Sequence, residues 1–211
     1  MVTTIPIFPL DLILFPGEKL NLHIFEPRYK QLINDTNEHQ ITFGIPYFQK
    51  GKGMEYGCTA ELLSIKKTYK DGTMDIKNLG SSVFKIIEVH KNKDDKLYSS
   101  ASIEYIEISS DVDDVITQKL SSLIDQLYQL MNINKPIPEL KDTLFSYLVG
   151  HHVGLSKEQE FQLLIIESEK KRQEFLIKHL TDLIPVVTEM EALRKKIEMN
   201  GHFKDLKPPL F

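Results

Sequence analysis

The spacing of apolar residues changes near residue 110, and that change limits what the chain can fold into. Upstream, apolar residues come in short runs that alternate with polar ones. Downstream, they recur every three or four positions. A period of two belongs to half-buried strands, and a period of 3.6 to amphipathic helices. The fold class that follows is α+β, with a small sheet or a barrel closed on itself over residues 1–109 and helices over residues 110–211. At 211 residues the chain buries about 70% of its unfolded surface without needing staples. The stretch between the halves, "EISSDVDD", is short and polar, so the two are expected to pack as one rigid unit.

Strand signals fill the first half. Thr59 to Tyr69 and Thr73 to Leu79 flank "YKDGT", and Asp71-Gly72 predicts a type I′ hairpin turn with both central residues at positive φ. Met74 and Ile76 alternate with Asp75 and Lys77, one face buried and one wet. "ITFGIPYF" and "SVFKIIEVH" read as further strands, and "LYSSASIEYIEI" places Ala101, Ile103 and Tyr105 on one face. Pro16-Gly17 suits a type II turn. Leu20, Leu22 and Ile24 then alternate with Asn21 and His23, which face solvent. Pro27 fits the first position of a short helix, whose Tyr29, Leu32 and Ile33 share a face and which ends near Asn34-Asp35. Glu26 stands at the mouth of that helix, where its carboxylate suits the unpaired N–H groups, within reach of Arg28.

The second half carries helix patterns. Val112, Val115, Ile116, Leu120, Leu123, Ile124, Leu127, Leu130 and Met131 form one apolar stripe, with Ser110 and Asp113 spaced as a capping box. Leu140, Leu144, Tyr147 and Leu148 predict a second helix stopped by Gly150. Ser156 and Gln159 form another capping box, opening a third helix through Phe161 and Leu164. Phe175, Leu176, Leu180 and Leu183 carry a fourth, and Pro185 is expected to kink or divide the final stretch.

Composition removes several function classes. Cys58 is the only cysteine, so no internal disulfide forms and a reducing compartment suits the chain. The N-terminus lacks a basic region and a long apolar core, and no apolar run is long enough to cross a bilayer, so the expected location is the cytoplasm. The formal net charge of −4 argues against a general nucleic-acid binder. Lys170-Lys171-Arg172 and Arg194-Lys195-Lys196 fall among Glu167, Glu169, Glu174, Glu189 and Glu191, which predicts solvated, mutually paired faces.

Candidate chemistry is sparse. His151 and His152 are adjacent and do not converge on one ion, whereas helical zinc ligands favour i, i+4 spacing. Cys58 has no nearby base and reads as a buried, inert thiol. His179 reads as a core or edge histidine. Gly44, Gly51 and Gly53 lack the spacing and the following Lys-Ser/Thr of a nucleotide loop, and no Gly-x-Ser-x-Gly elbow exists. No catalytic residue, metal ligand or cofactor site is expected. An unrecognised enzyme would need a deep polar pocket holding perturbed titratable groups. The segment "YFQKGKGMEYG" reads as a mobile element whose Tyr47, Phe48, Met54 and Tyr56 supply apolar area for loose polypeptide capture, Tyr56 being the one best explained as core.

"PIFPLDLILFPGEKLNLHIFEPRYKQLI" resembles the opening of the Lon protease N-terminal, or Lon substrate-binding, domain family. The residues that carry the resemblance are Pro9, Leu10, Phe15, Pro16, Gly17, Phe25, Glu26, Arg28 and Tyr29, followed in order by Gly57, the Asp71-Gly72 turn and Gly80. The family's Arg after that last glycine is absent, with Ser82 or Phe84 in its place. The resemblance implies a β-rich pseudo-barrel similar to a PUA domain, followed by a helical bundle. It implies that these motif residues are architectural. The ATPase and Ser-Lys peptidase domains of Lon proteases have no counterpart in this sequence. The expected function is therefore a non-catalytic module that binds unfolded or flexible polypeptides, an adaptor or regulator of proteolysis partnered by a protease or chaperone. An RNA-binding PUA-like module is the alternative. The sequence specifies no oligomeric state.

Overall fold

The computed structural model describes residues 2–48, 54–91, 95–134 and 144–201. Among the described residues, six strands build the first half: β1 (Val2–Pro6), β2 (Lys19–Ile24), β3 (Phe43–Pro46), β4 (Tyr56–Thr68), β5 (Met74–His90) and β6 (Ser100–Tyr105). All pair antiparallel in the order β1-β6-β5-β4-β3, and β2 lies off that path against β5. The sheet closes through the segment after β1. Ile7 and Leu10 form parallel bridges to Gly44 and Tyr47, with Phe8 N donating to Gly44 O at 2.8 Å and Phe48 N to Leu10 O at 2.9 Å. Those bonds convert an open sheet into the expected pseudo-barrel.

At 17 residues, β5 is the spine. Its first part carries β2 on one side and β4 on the other, and its last part carries β6. Met74, Ile76, Asn78 and Gly80 alternate inward along it. The turn into β5 differs from the expected type I′. Only Gly72 takes a positive φ, of 78°, with Gly72 N donating to Tyr69 O at 2.9 Å and Tyr69 N to Thr73 O at 2.9 Å. That is a three-residue loop ending in a glycine bulge, the other common answer to an Asp-Gly pair. The Asp71 carboxylate accepts from Thr73 N and Oγ1 at 3.1 and 2.8 Å, which favours this turn. On β6, Ala101 and Ile103 are buried as expected, while Tyr105 at the strand end is exposed.

Helix α1 (Pro27–His39) begins at Pro27, with Glu26 O accepting from Tyr29 and Lys30 N–H. It continues past the expected stop at Asn34-Asp35. Thr36 is buried on the same face as Tyr29, Leu32 and Ile33, so tertiary packing extends the helix to a left-handed Gln40.

The helical half contains α2 (Asp114–Leu130), α3 (Phe145–Val149), a 3₁₀ turn at Gly150–His152, α4 (Lys157–Ile165) and α5 (Glu169–Gly201). Asp113, not Ser110, caps α2, its carboxylate accepting from Val115 and Ile116 N–H. Starting there leaves Val112 and Val115 exposed, and Met131 is exposed beyond the other end, so the buried stripe is shorter than the pattern suggested. Leu140 lies outside the described residues, and Leu144 precedes α3 as its cap position. The Ser156–Gln159 capping box forms as expected. Pro185 lies inside α5 without dividing it, at the cost of one backbone hydrogen bond. One buried apolar cluster runs across both halves, joining Phe15 and Val83 to Leu120, Tyr147, Leu163 and Leu176.

Candidate polypeptide-binding surface

The motif segment between β1 and β2 acts as a strap that joins the halves. Phe15 is fully buried, its ring 5.3 Å from Tyr147 and 4.5 Å from His151. Behind it the chain reverses through Pro16 and Gly17, with Gly17 at φ 80° and Glu18 N donating to Phe15 O at 3.1 Å, the expected type II turn. Gly80 permits that approach, because a Cβ there would stand 2.2 Å from Phe15 O. Leu10 bridges to Tyr47, Pro9 is half-buried beside it, and Gly57 pairs with Pro46. Tyr29 stacks on Phe8 at 3.8 Å, and Arg28 lies over the Tyr29 ring while pairing with Glu26 at 2.7 Å.

A groove of about 540 Å³ opens between this strap and the helical half, lined among others by Leu12, Ile13, Lys19, Leu20, Leu148 and His151. His151 spans it. Nδ1 meets Glu160 Oε1 at 2.8 Å and Nε2 meets Glu18 Oε2 at 3.1 Å. Burial alone would lower the imidazole pKa, but the two carboxylates outweigh it and raise the value to about 9. An imidazolium donating from both nitrogens is thus a clamp between the halves. Lys157 adds a second link, with Nζ 2.8 Å from an Asp11 carboxylate oxygen.

The four residues expected to capture polypeptide occupy different environments. Tyr47 is buried and Tyr56 half-buried, their rings 5.5 and 6.0 Å from Phe161 of α4. Met54 is partly buried against the cluster of Ile5, Phe84 and Ile103. Phe48 is 41% exposed. Residues 49–53 of that segment lie outside the described residues. A larger exposed aromatic group stands at the far end of β2. Phe25 is 63% exposed, 6.3 Å from the His23 ring, and His23 meets Tyr69 edge-on at 5.9 Å. Phe25 belongs to the motif, yet its side chain projects outward while Ile24 before it turns in. A second apolar stripe is exposed on α5, through Val186, Met190, Leu193 and Ile197.

The sequence profile of the ATP-dependent protease La (LON) substrate-binding domain matches residues 4–182. The chain belongs to the Lon substrate-binding domain family. The Lon N-terminal domain protein of Xanthomonas campestris has the same fold, with a TM-score of 0.65 and 22% identity, covering 83% of this chain and 98% of that one. The N-terminal domain of the Mycobacterium avium complex Lon protease gives a TM-score of 0.62 at 15% identity, covering 85% and 99%. Curated relatives include the proteins named cereblon of Xenopus tropicalis and Gallus gallus, each 26% identical over 95 residues. That stretch covers 43% of this chain and 21% of either cereblon, so the chain matches about a fifth of their length.

Within this Lon-type domain Cys58 and His179 are held in the packing. Cys58 is buried, and desolvation pushes its thiol up to about 12, far from the thiolate a nucleophile needs. His179 sits between Gln159 and Val153 O at 3.3 and 3.0 Å. Among the described residues, no group of three or more His, Cys, Asp or Glu could hold a metal ion, and no helix is long and apolar enough to cross a membrane. The basic clusters differ from the expected solvated faces at one residue. Lys170 pairs with Asp113, and Arg194 with Glu191 and Glu198, but Arg172 is fully buried against Glu169. The Arg172 guanidinium lies 4.3 Å over the Tyr147 ring and donates to Ser146 Oγ, Ile166 O and Glu167 O. Its partners are assembled by tertiary packing, which charge spacing along one helix does not reveal.

Proposed function

We propose that this chain is a non-catalytic recognition module that holds flexible or unfolded polypeptide and serves proteolysis as an adaptor or regulator, working with a separate protease or chaperone. Membership of the Lon substrate-binding family across residues 4–182 is the observation that carries the reading. The exposed aromatic area at Phe25 and Phe48 supports it, since such side chains supply contact without fixed partners. The two basic clusters of α5 give RNA binding little support, since Lys170, Arg172 and Arg194 are engaged by carboxylates.

The test is fluorescence anisotropy of the full chain with a reduced, alkylated polypeptide and with its native, folded form. The unfolded form should bind and the native form should not. The double substitution Phe25→Ser, Phe48→Ser should weaken binding about tenfold. It should leave the melting temperature nearly unchanged, because both side chains are exposed. Equal binding of the folded and unfolded forms, or none of either, refutes the reading.

A further inference from the structure

Strand β2 has one unused edge. Gly80 N donates to Glu18 O, and an antiparallel ladder repeats every second residue, so Leu20, Leu22 and Ile24 direct their backbone groups at β5. Lys19, Asn21 and His23 therefore turn their N–H and C=O groups outward, and among the described residues no hydrogen bond reaches them. Exposed edges of this kind are normally blunted by bulges, proline or charged side chains, and β2 carries one such charge, Lys19, but no proline and no bulge. The pairing of β4 with β5 has three such irregularities, whereas β2 keeps unbroken register over all six residues.

Charge says what fits there. Lys19 and, across the ladder from Asn21, Lys77 share the wet face of β2 and β5, and no carboxylate among the described residues pairs with either. Asp75 on that face is already held by His23 and Tyr69, at 2.6 and 2.7 Å. A second copy of β2 would bring the same cations together, which is unfavourable. The groove beside Lys19 and Leu20 lies at one end of the strand, and exposed Phe25 at the other.

We propose that β2 is a docking edge for an extended acidic stretch of a non-native polypeptide, which adds to the sheet as a further strand and sets alternate carboxylates against Lys19 and Lys77. Main-chain hydrogen bonds give the grip, and the alternating side chains give the preference. The inference rests on the polypeptide-binding reading above and specifies where and how that binding occurs.

The experiment uses the full chain and two labelled octapeptides, alternating Val-Glu and alternating Val-Lys. The acidic peptide should bind about tenfold tighter than the basic one, and salt should weaken it. Asn21→Pro removes one outward N–H and obstructs the edge while leaving the β2–β5 ladder intact, since proline is tolerated at such positions. It should weaken the acidic peptide about tenfold, whereas Asn21→Ala, which keeps the N–H, should bind within about twofold of the parent. Hydrogen exchange on the unsubstituted chain is independent of any variant's folding, and the Asn21 and His23 amides should become protected when peptide is added. Unchanged amides, equal affinity for the two peptides, or an Asn21→Pro variant that binds as the parent does would each overturn the proposal. If the alkylated polypeptide then still binds, only the edge is lost. If no probe binds, the recognition reading falls with it.

Discussion

Removing the Arg172 guanidinium should be among the most damaging single changes to this protein. Arg172 and Glu169 are both fully buried and joined at 2.8 Å. Without the arginine, the Glu169 carboxylate keeps Ser146 N and Oγ and Gln173 Nε2, but its cation is gone. Ile166 O and Glu167 O lose the donor that joins them at the entry to α5. Breaking one partner out of a buried pair costs about 3–5 kcal/mol. For a domain of this size each kcal/mol lowers Tm by about 2–4 °C, so Arg172→Met should melt about 6–20 °C lower. Replacing both partners, as Glu169→Leu with Arg172→Met, removes the stranded charge and should recover part of that loss. Scanning calorimetry or urea unfolding of the parent, the single and the double variant measures all three. A single variant within about 1 kcal/mol of the parent, or a double variant less stable than the single, would refute the reasoning.

Two further perturbations probe the junction between the halves. The pKa of His151 is raised from 6.5 to about 9, so the clamp's contribution is fully present below pH 6.5 and is lost as pH rises through 9. The stability gap between the parent and His151→Gln, read by urea titration, should therefore shrink steadily from pH 6.5 to 9.5, and a constant gap would contradict the clamp. Gly80→Ala places a methyl 2.2 Å from the Phe15 carbonyl, which is backbone and cannot rotate away. It should cost about 1–3 kcal/mol by thermal melting, and a neutral result would show that the strap moves freely.

Local chemistry was legible in the sequence, and tertiary choices were not. The Pro16-Gly17 turn, the Pro27 helix start and the Ser156–Gln159 box each follow from a few adjacent residues, and each forms as read. The stop expected at Asn34-Asp35 failed because tertiary contacts, among them Lys96 and Tyr98 donating to the Asp35 carboxylate, outweigh two weak helix formers. The Asp71-Gly72 pair marked a hairpin without choosing its type, which the Asp71–Thr73 bonds decide. Arg172 looked like its lysine neighbours because its deciding contacts, Ser146 and Tyr147, come from another helix. The exposure of Phe25 was hidden in the same way, since a motif fixes residue types and not which side of a strand end they occupy. Nothing in the local sequence announces that His151 meets carboxylates from Glu18 and Glu160.

The free edge of β2 follows from how the barrel closes. Bridges from Ile7 and Leu10 to Gly44 and Tyr47 complete the circuit β1-β6-β5-β4-β3, so every place in the ring is filled. The 17 residues of β5 outrun that ring, and the overhang needs cover. β2 supplies it, brought into position by the Pro16-Gly17 reversal and held by Gly80 N to Glu18 O. A strand recruited from outside a closed circuit has a partner on one side only. Phe15, which joins the halves, and Gly17 and Gly80, which set the reversal behind it, thus also position β2, whose outer edge is unpaired. In this fold the motif need not touch a ligand to matter for binding. It places the strand that would.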